Sequence, residues 1–325
     1  MKSYLEAINE GIRLEMRRDE RVCVLGEDVG VYGGGAGATR GLIEEFTERR
    51  VMDMPISETA FTGAAVGAAM LGMRPIVEIM FSDFLTLAAD PLINHAAKMP
   101  FMSAGQTSVP LVVMTPMGSG TGAAAQHSQS PEMMFMNTPG IKIVTPSNPY
   151  NAKGLMISAI RDEGPVIYLE HKGLYNMKGE VPEGEYTLPI GKASVIRPGE
   201  DITIITYSAM AKECLAAARE LSEIRISAEV IDLMSLKPLD EETLIESVKK
   251  TGRVLIVHEA PALGGFGGYI AGVIAQRAFK YLKAPIKCLG GENIPIAYNA
   301  VIERMQIPGK EKIIKTAEEI LNEEV

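Results

Sequence analysis

Short apolar, β-branched runs alternate with helical periodicity along almost the whole chain. Candidate strands are Val22–Leu25, Pro75–Ile79, Leu111–Met114, Ile141–Val144 and Val166–Leu169; candidate helices are Thr59–Leu71, Phe84–Lys98 and Tyr150–Ile160. Strands that read as continuous apolar runs are buried on both faces, and helices between them mark a parallel sheet. From Gly173 to Pro198 the pattern breaks into a polar, turn-rich stretch. It then restarts with strand Ile202–Thr206, helix Lys212–Leu221, strand Ala228–Ile231, helix Glu241–Lys249, strand Val254–Val257 and helix Gly267–Phe279. The pattern predicts an α/β protein of two parallel-sheet domains, residues 1–175 and 199–325, joined by a linker at 176–198. Ligands in such folds bind beside the carboxyl ends of strands.

Composition narrows the function classes. A chain of 325 residues has room for two cores, and 46% hydrophobic with 22% charged residues describes an ordinary globular protein. A net charge of -9 argues against a nucleic-acid surface, which needs clustered Lys and Arg. The 3 cysteines, Cys23, Cys214 and Cys288, have no CxxC spacing and read as buried small residues in a reducing compartment. The N-terminus runs directly into an amphipathic, acidic pattern, and no stretch approaches the ~20 apolar residues of a membrane span. A cytoplasmic location is expected.

Four places could carry chemistry. Gly26-Glu27-Asp28-Val29-Gly30 and Gly33-Gly34-Gly35-Ala36-Gly37 follow the first strand, but neither a GxGxxG opening a helix nor a GxxxxGK[ST] is present. The simpler reading is a flexible loop that permits close backbone approach. Ser57 reads as an N-cap with Glu58 opening the helix, a place where the helix dipole alone favours a carboxylate by about 0.3–1 kcal/mol. The following Ala64-Ala65-Val66-Gly67-Ala68-Ala69-Met70-Leu71 has no polar face, so Glu58 is expected at the edge of an apolar core, suited to sharing a proton with a basic ligand nitrogen. Of the 4 histidines, His95 lies in a helical pattern. His171 and His258 adjoin a Glu near a strand end, where a local hydrogen bond explains them. His127 follows a loop of small residues and suits acid–base work or charge stabilisation. Phe84, after the strand ending at Ile79, is either a core aromatic or a stacking surface for a flat heteroaromatic ring.

Taken in order, these stretches resemble the β subunit of the thiamine-diphosphate-dependent decarboxylating component of 2-oxo acid dehydrogenase complexes. The resemblance rests on Gly26–Gly30, Pro55-Ile56-Ser57-Glu58, Ala124-Ala125-Gln126-His127-Ser128-Gln129, Pro139–Lys142, Thr145–Leu155 and Ala159–Asp162, and continues through Gly191–Ala193 and Lys249–Arg253. It implies a transketolase-like pyrimidine-binding domain followed by a transketolase C-terminal domain. It implies that Glu58 hydrogen-bonds the cofactor pyrimidine N1′ and promotes its imino tautomer, that Phe84 stacks on the ring, and that Glu27 and Met80 also bind the cofactor. His127 orients substrate, stabilises charge or assists acyl transfer to the lipoyl group. Backbone at Ala159, Ile160, Asp162 and Gly164 matches a monovalent-cation site, K+, of some relatives.

The chain contains no Gly-Asp-Gly, the motif with which thiamine enzymes hold diphosphate and Mg2+. The family places these on an α subunit, which implies an α2β2 heterotetramer with a shared cofactor and a lipoyl acyltransferase core as partner. Leu87 stands where some relatives carry a Glu of a proposed acidic relay between active sites; Asp90 remains, but Leu87 carries no proton. Met80–Phe84 and Glu170-His171-Lys172 resemble acetoin dehydrogenase subunits, while Gly179–Thr187 also has counterparts in pyruvate-type subunits. The expected order of substrates is acetoin, then pyruvate, then branched-chain 2-oxo acids. The alternatives are a self-sufficient transketolase-like synthase, which needs a diphosphate domain of its own, and a docking subunit without chemistry.

Overall fold

Burial along entire strands dictates the architecture. In the computed structural model, which describes residues 1–323, strands Val22–Gly26, Arg74–Glu78, Val112–Met117 and Val166–His171 are buried at every position. Such strands need cover on both faces, which parallel pairing with helical crossovers supplies. The chain divides into two compact units, Met1–Met117 with Met134–Ile190, and Gly118–Met133 with the residues from Gly191 onward. The segment 118–133, which the sequence pattern leaves in the first domain, thus clusters with the later residues.

In the first unit, Lys142–Val144, Val166–His171, Val112–Met117, Arg74–Glu78, Val22–Gly26 and Val51–Asp53 lie side by side in that order, all parallel. Helix Tyr4–Arg18 opens with a capping box, in which Ser3 Oγ accepts from Glu6 N (3.2 Å) and Glu6 Oε2 accepts from Ser3 N (2.7 Å). Its face Tyr4, Ala7, Ile8, Gly11, Ile12, Glu15 packs on helix Pro149–Arg161, itself capped by Asn148 Oδ1 accepting from Asn151 N (2.9 Å). Glu15 is fully buried there and accepts from Arg161 Nη2 (2.6 Å) and Arg18 Nε (2.8 Å).

Four expectations change. Phe84–Lys98 is no continuous α-helix: it breaks into a 3-10 turn Ser82–Thr86 and a π-helical turn Pro91–Ala96 before helix Met99–Met102. Pro91 forces part of this break, since it has no amide to donate into the preceding turn. Ser57 occupies the N-cap position, yet its hydroxyl donates to Pro55 O (2.9 Å) rather than capping the helix. Helix Glu58–Met70 is buried only along Glu58, Phe61, Thr62, Ala65, Val66 and Ala69, leaving Gly63, Ala64 and Gly67 exposed, so absence of a polar face did not mean burial all round. Cys288 is exposed, unlike Cys23 and Cys214.

The stretch read as a linker is strapped down. Lys178–Gly179 pairs antiparallel with Lys2–Ser3, Tyr186 stacks on Tyr150 (4.8 Å) and Leu188 N donates to Ser158 Oγ (3.0 Å). In the second unit Lys287–Gly291, Val254–Pro261, Ile202–Thr206 and Ala228–Asp232 run parallel, with Ser194–Arg197 antiparallel at the edge. Helices Met210–Glu223 and Lys310–Asn322 close one core with Ile204, Val230 and Leu255. Helices Glu241–Thr251 and Phe266–Ala278 pack together, with Thr251 Oγ1 and Thr203 Oγ1 2.9 Å apart. No helix among the described residues is long and apolar enough to cross a membrane.

The Glu15 carboxylate is the buried centre of its ion-pair network, and removing it takes from the part-buried Arg161 one of its two carboxylate partners, the other being Glu185. Glu15→Ala is expected to lower denaturant-unfolding stability by about 1.5–3 kcal/mol, the scale of lost hydrogen bonds to a charged group. A change below about 0.5 kcal/mol, the range of ordinary surface substitutions, would show that the network is merely a surface feature.

Candidate active site

Three neighbouring parallel strands end level with one another: Gly26 pairs with Asp53 on one side and Glu78 on the other. Their continuations deliver Glu27, Glu58 and the pair Met80 and Phe84 to the carboxyl edge of the sheet, where backbone groups lose their ladder partners and side chains can meet a ligand. Gly26 is required by closeness, since a Cβ there would lie 2.6 Å from Glu78 O. Glu58 opens its helix with only 6% of its surface exposed. Glu27 Oε1 is buried without a hydrogen-bond partner. Burial first, and then the charges of Glu58 and Asp28, push the Glu27 carboxyl above its usual range, so Glu27 and Glu58 share one electrostatic environment. Phe84 meets Phe81 edge to face at 5.9 Å. Two neighbouring carboxyls, one with an orphaned oxygen, close in sequence order to an aromatic ring suit a flat, basic heteroaromatic ligand.

The glycine-rich loop makes the close approach its composition suggests, against a residue the sequence reading passed over. Gly35 N donates to Glu78 Oε1 (2.9 Å), and a Cβ on Gly34, at φ +81, would lie 2.4 Å from both Glu78 carboxyl oxygens. Burial, with the charge of Glu170 next, pushes Glu78 up to about 8, against the pull of the Gly35 amide. Burial likewise pushes Glu170 up to about 7, opposed by the Tyr175 hydroxyl that donates to it at 2.8 Å. The signal for both was present: an acid inside a continuous apolar strand is a local conflict.

In the second unit the segment that carries His127 is shaped by backbone hydrogen bonds. Gly118 N donates to Gln129 O (3.1 Å), drawing the ends together, and His127 N donates to Ala124 O (3.3 Å) in a turn. Ser119 N donates to Glu259 Oε1 (2.6 Å); Gly120 N and Gly122 N donate to Glu303 Oε1 (2.7 Å) and Oε2 (3.1 Å). Tyr207 OH donates to Glu132 Oε1 at 2.5 Å. Sequence reasoning found His127 but none of these supports, which lie far along the chain. The predicted residues therefore fall into two sets, Glu27, Glu58, Met80 and Phe84 in the first unit and His127 in the second.

The remaining candidates have local explanations. His171 Nδ1 accepts from Gly173 N (3.0 Å), His258 Nδ1 lies 2.9 Å from Ala260 O, and the exposed His95 is 3.5 Å from Asp90. Ala159, Ile160, Asp162 and Gly164 share one turn, in which Arg74 Nη1 donates to the carbonyls of Ile160 and Asp162 (both 3.0 Å). A monovalent cation there would share its oxygen ligands with a guanidinium. Leu87 is half exposed, and its carbonyl accepts from Thr59 Oγ1 (2.5 Å). No group of three or more metal-ligating side chains is assembled among the described residues.

Comparison with known proteins adds a family. The transketolase pyrimidine binding domain matches residues 1–178, and the transketolase C-terminal domain matches residues 191–313. The β subunit of an acetoin:2,6-dichlorophenolindophenol oxidoreductase of Bacillus subtilis is 44% identical over 99% of this chain and 97% of its own length. The β subunit of 2-oxoisovalerate dehydrogenase from the same organism is 48% identical over 96% of each chain. The pyruvate dehydrogenase E1 β subunit of Chaetosphaeridium globosum is 44% identical over 97% of each.

Glu78 and Glu170 carry a pH signature. Their folded values lie above the ordinary 4.5, so between pH 4.5 and about 8 the unfolded chain releases protons that the folded chain retains. Stability must therefore fall as pH rises through that window. Glu78→Gln keeps an acceptor for Gly35 and removes the proton. It is expected to flatten the decline of Tm between pH 5 and 8 and to stabilise the chain at pH 8 by about 1–3 kcal/mol. A variant that declines as steeply as its parent would refute the assignment.

Proposed function

We propose that this chain, which belongs to the family of β subunits of acetoin and 2-oxo acid dehydrogenases built on the transketolase domains, is half of a thiamine-diphosphate enzyme that passes a two-carbon acyl unit to lipoamide. The observation that carries the reading is the Glu27–Glu58 pair at the carboxyl edge, in a chain without Gly-Asp-Gly. That is the base-holding half of a thiamine site without its diphosphate half. Diphosphate and Mg2+ accordingly belong to an α subunit, in an α2β2 assembly served by a lipoyl acyltransferase core. Surfaces that want cover support a partner: Ile56 and Leu71, which flank helix Glu58–Met70 with its bare Gly63, Ala64 and Gly67, are 84% and 89% exposed, and Phe101 is 90% exposed.

Glu58 holds the proton shared with the pyrimidine N1′. Its burial keeps water from competing for that hydrogen bond. Glu27 places a second carboxyl beside it, and burial together with the neighbouring charge favours the protonated form of Glu27. Phe84 offers its ring face to the pyrimidine, and Met80 fills the space beside it. When bound, the cofactor supplies the electron sink for breaking the bond next to the substrate carbonyl. His127 donates a hydrogen bond to the substrate oxygen and orients it. A monovalent cation at the 159–164 turn would reinforce that turn alongside Arg74. Acetoin is placed ahead of pyruvate on the Met80–Phe84 and Glu170–Lys172 stretches, with branched-chain 2-oxo acids third.

The test is co-expression with an α subunit and dye reduction with acetoin, pyruvate and 2-oxoisovalerate in turn. The assembled enzyme is expected to turn over acetoin fastest, and the chain alone to be inactive. Glu58→Gln in the tetramer is expected to cost at least about 100-fold in kcat, the scale of a lost general acid–base group. Wild-type turnover by that variant would favour a docking subunit, and thiamine-dependent turnover by the chain alone would favour a self-sufficient synthase.

A further inference from the structure

We propose that Glu303, assisted by Glu259, is a positioning residue that sets the conformation of the His127 loop by filling an anion-binding concavity in the loop backbone. The inference rests on the reading of His127 as a substrate-orienting group.

Residues Gly118, Gly120, Gly122 and Ala124 adopt left-handed φ values of +86, +94, +67 and +63 at alternate positions. Backbone that alternates in this way turns neighbouring amides toward one side and makes a concavity that attracts anions. Elsewhere such nests hold phosphate. In this loop the anions are the protein's own carboxylates. Glu303, 1% exposed, accepts from Gly120 N with one oxygen and from Gly122 N with the other, and Glu259 Oε1 accepts from Ser119 N. Hydrogen bonds from amides to a carboxylate are charge-assisted and about twice as strong as neutral ones.

Glu303 is itself held. Its helix, Ala300–Gln306, starts at Asn299, whose Oδ1 accepts from Val301 N (2.9 Å) and Ile302 N (3.3 Å). At the far end Gln306 Nε2 donates to Pro295 O (2.8 Å), and Gln306 Oε1 accepts from Ala297 N (2.8 Å). Glu259 comes from strand Val254–Pro261. A loop with no strand or helix of its own thus takes its shape from two rigid elements that follow it in the chain. The grip falls on residues 119–122, just ahead of the Ala124–His127 turn. A carboxyl-to-amide change keeps the volume but serves only one of the two glycine amides, because the other then faces an NH2 donor.

The test uses the assembled α2β2 enzyme with thiamine diphosphate and compares Glu303→Gln, Gly120→Ala, His127→Ala and the Glu303→Gln/His127→Ala double variant. Turnover is read alongside hydrogen–deuterium exchange at the cofactor C2, which reports on the Glu58 half of the chemistry. Glu303→Gln and Gly120→Ala are each expected to lower kcat by about 10- to 100-fold, the cost of a misplacement of about 1 Å. C2 exchange is expected to stay within about two-fold of wild type, and the double variant to lose no more than His127→Ala, as for groups acting as one unit. Wild-type kcat in Glu303→Gln beside an impaired His127→Ala overturns the proposal, as does a multiplicative loss in the double variant or a parallel fall in C2 exchange. Wild-type kcat in His127→Ala places the failure in the role given to His127. Should Glu303→Gln not assemble, Gly120→Ala decides by the same criteria, since a Cβ there meets nothing within 4 Å and only the backbone is strained.

Discussion

A strand buried on both faces can offer chemistry at its ends and almost nowhere else. The four longest strands of the first unit are buried at every residue, so a polar group between their ends must either find a partner or keep its proton. Gly26 closes the first of these strands, and Glu27, Glu58, Met80 and Phe84 follow the carboxyl ends of three neighbours. The candidate site is a consequence of that parallel register. An antiparallel arrangement would send one of the three continuations to the opposite edge.

The same burial explains the exceptions. Glu78 and Glu170 sit inside apolar strands, and burial raises both toward neutrality. One oxygen of each is satisfied, by Gly35 N and Tyr175 OH respectively, and one is not. The glycine-rich loop is glycine-rich for this reason: only a residue without Cβ can lie against the Glu78 carboxyl as Gly34 does. The close backbone approach that the loop's composition allows is in structure made against a buried acid. The loop before His127 repeats the theme in the second unit, where glycine amides grip Glu303 instead of a ligand.

Much was legible in the chain itself. Periodicity placed most of the longer strands and most helices, because runs of Val and Ile commit to buried β-structure wherever they fall. It misread 84–98, where Pro91 and short-range packing produced 3-10 and π-helical turns from a plausible helical pattern. It missed strands Val51–Asp53 and Lys287–Gly291 and helices Ala300–Gln306 and Lys310–Asn322, although the last carries an amphipathic period with Ile313, Ala317 and Ile320 buried. Family motifs pointed to Glu58 and His127, and the absent Gly-Asp-Gly pointed to a missing half.

By itself, then, the sequence determined the α/β class, the parallel sheets, the family, and which residue types stand at the ends of the strands. These are local properties: hydrophobic period, turn chemistry and short motifs all act within a few residues. Only the tertiary structure decided that 118–133 clusters with residues beyond 190, that Arg74 reaches the carbonyls of Ile160 and Asp162, and that Glu303 shapes the His127 loop. Those pairings join residues from 86 to 183 positions apart. Nothing within a few residues encodes them, because they exist only once burial has removed water as the competing partner for each amide, carbonyl and charge.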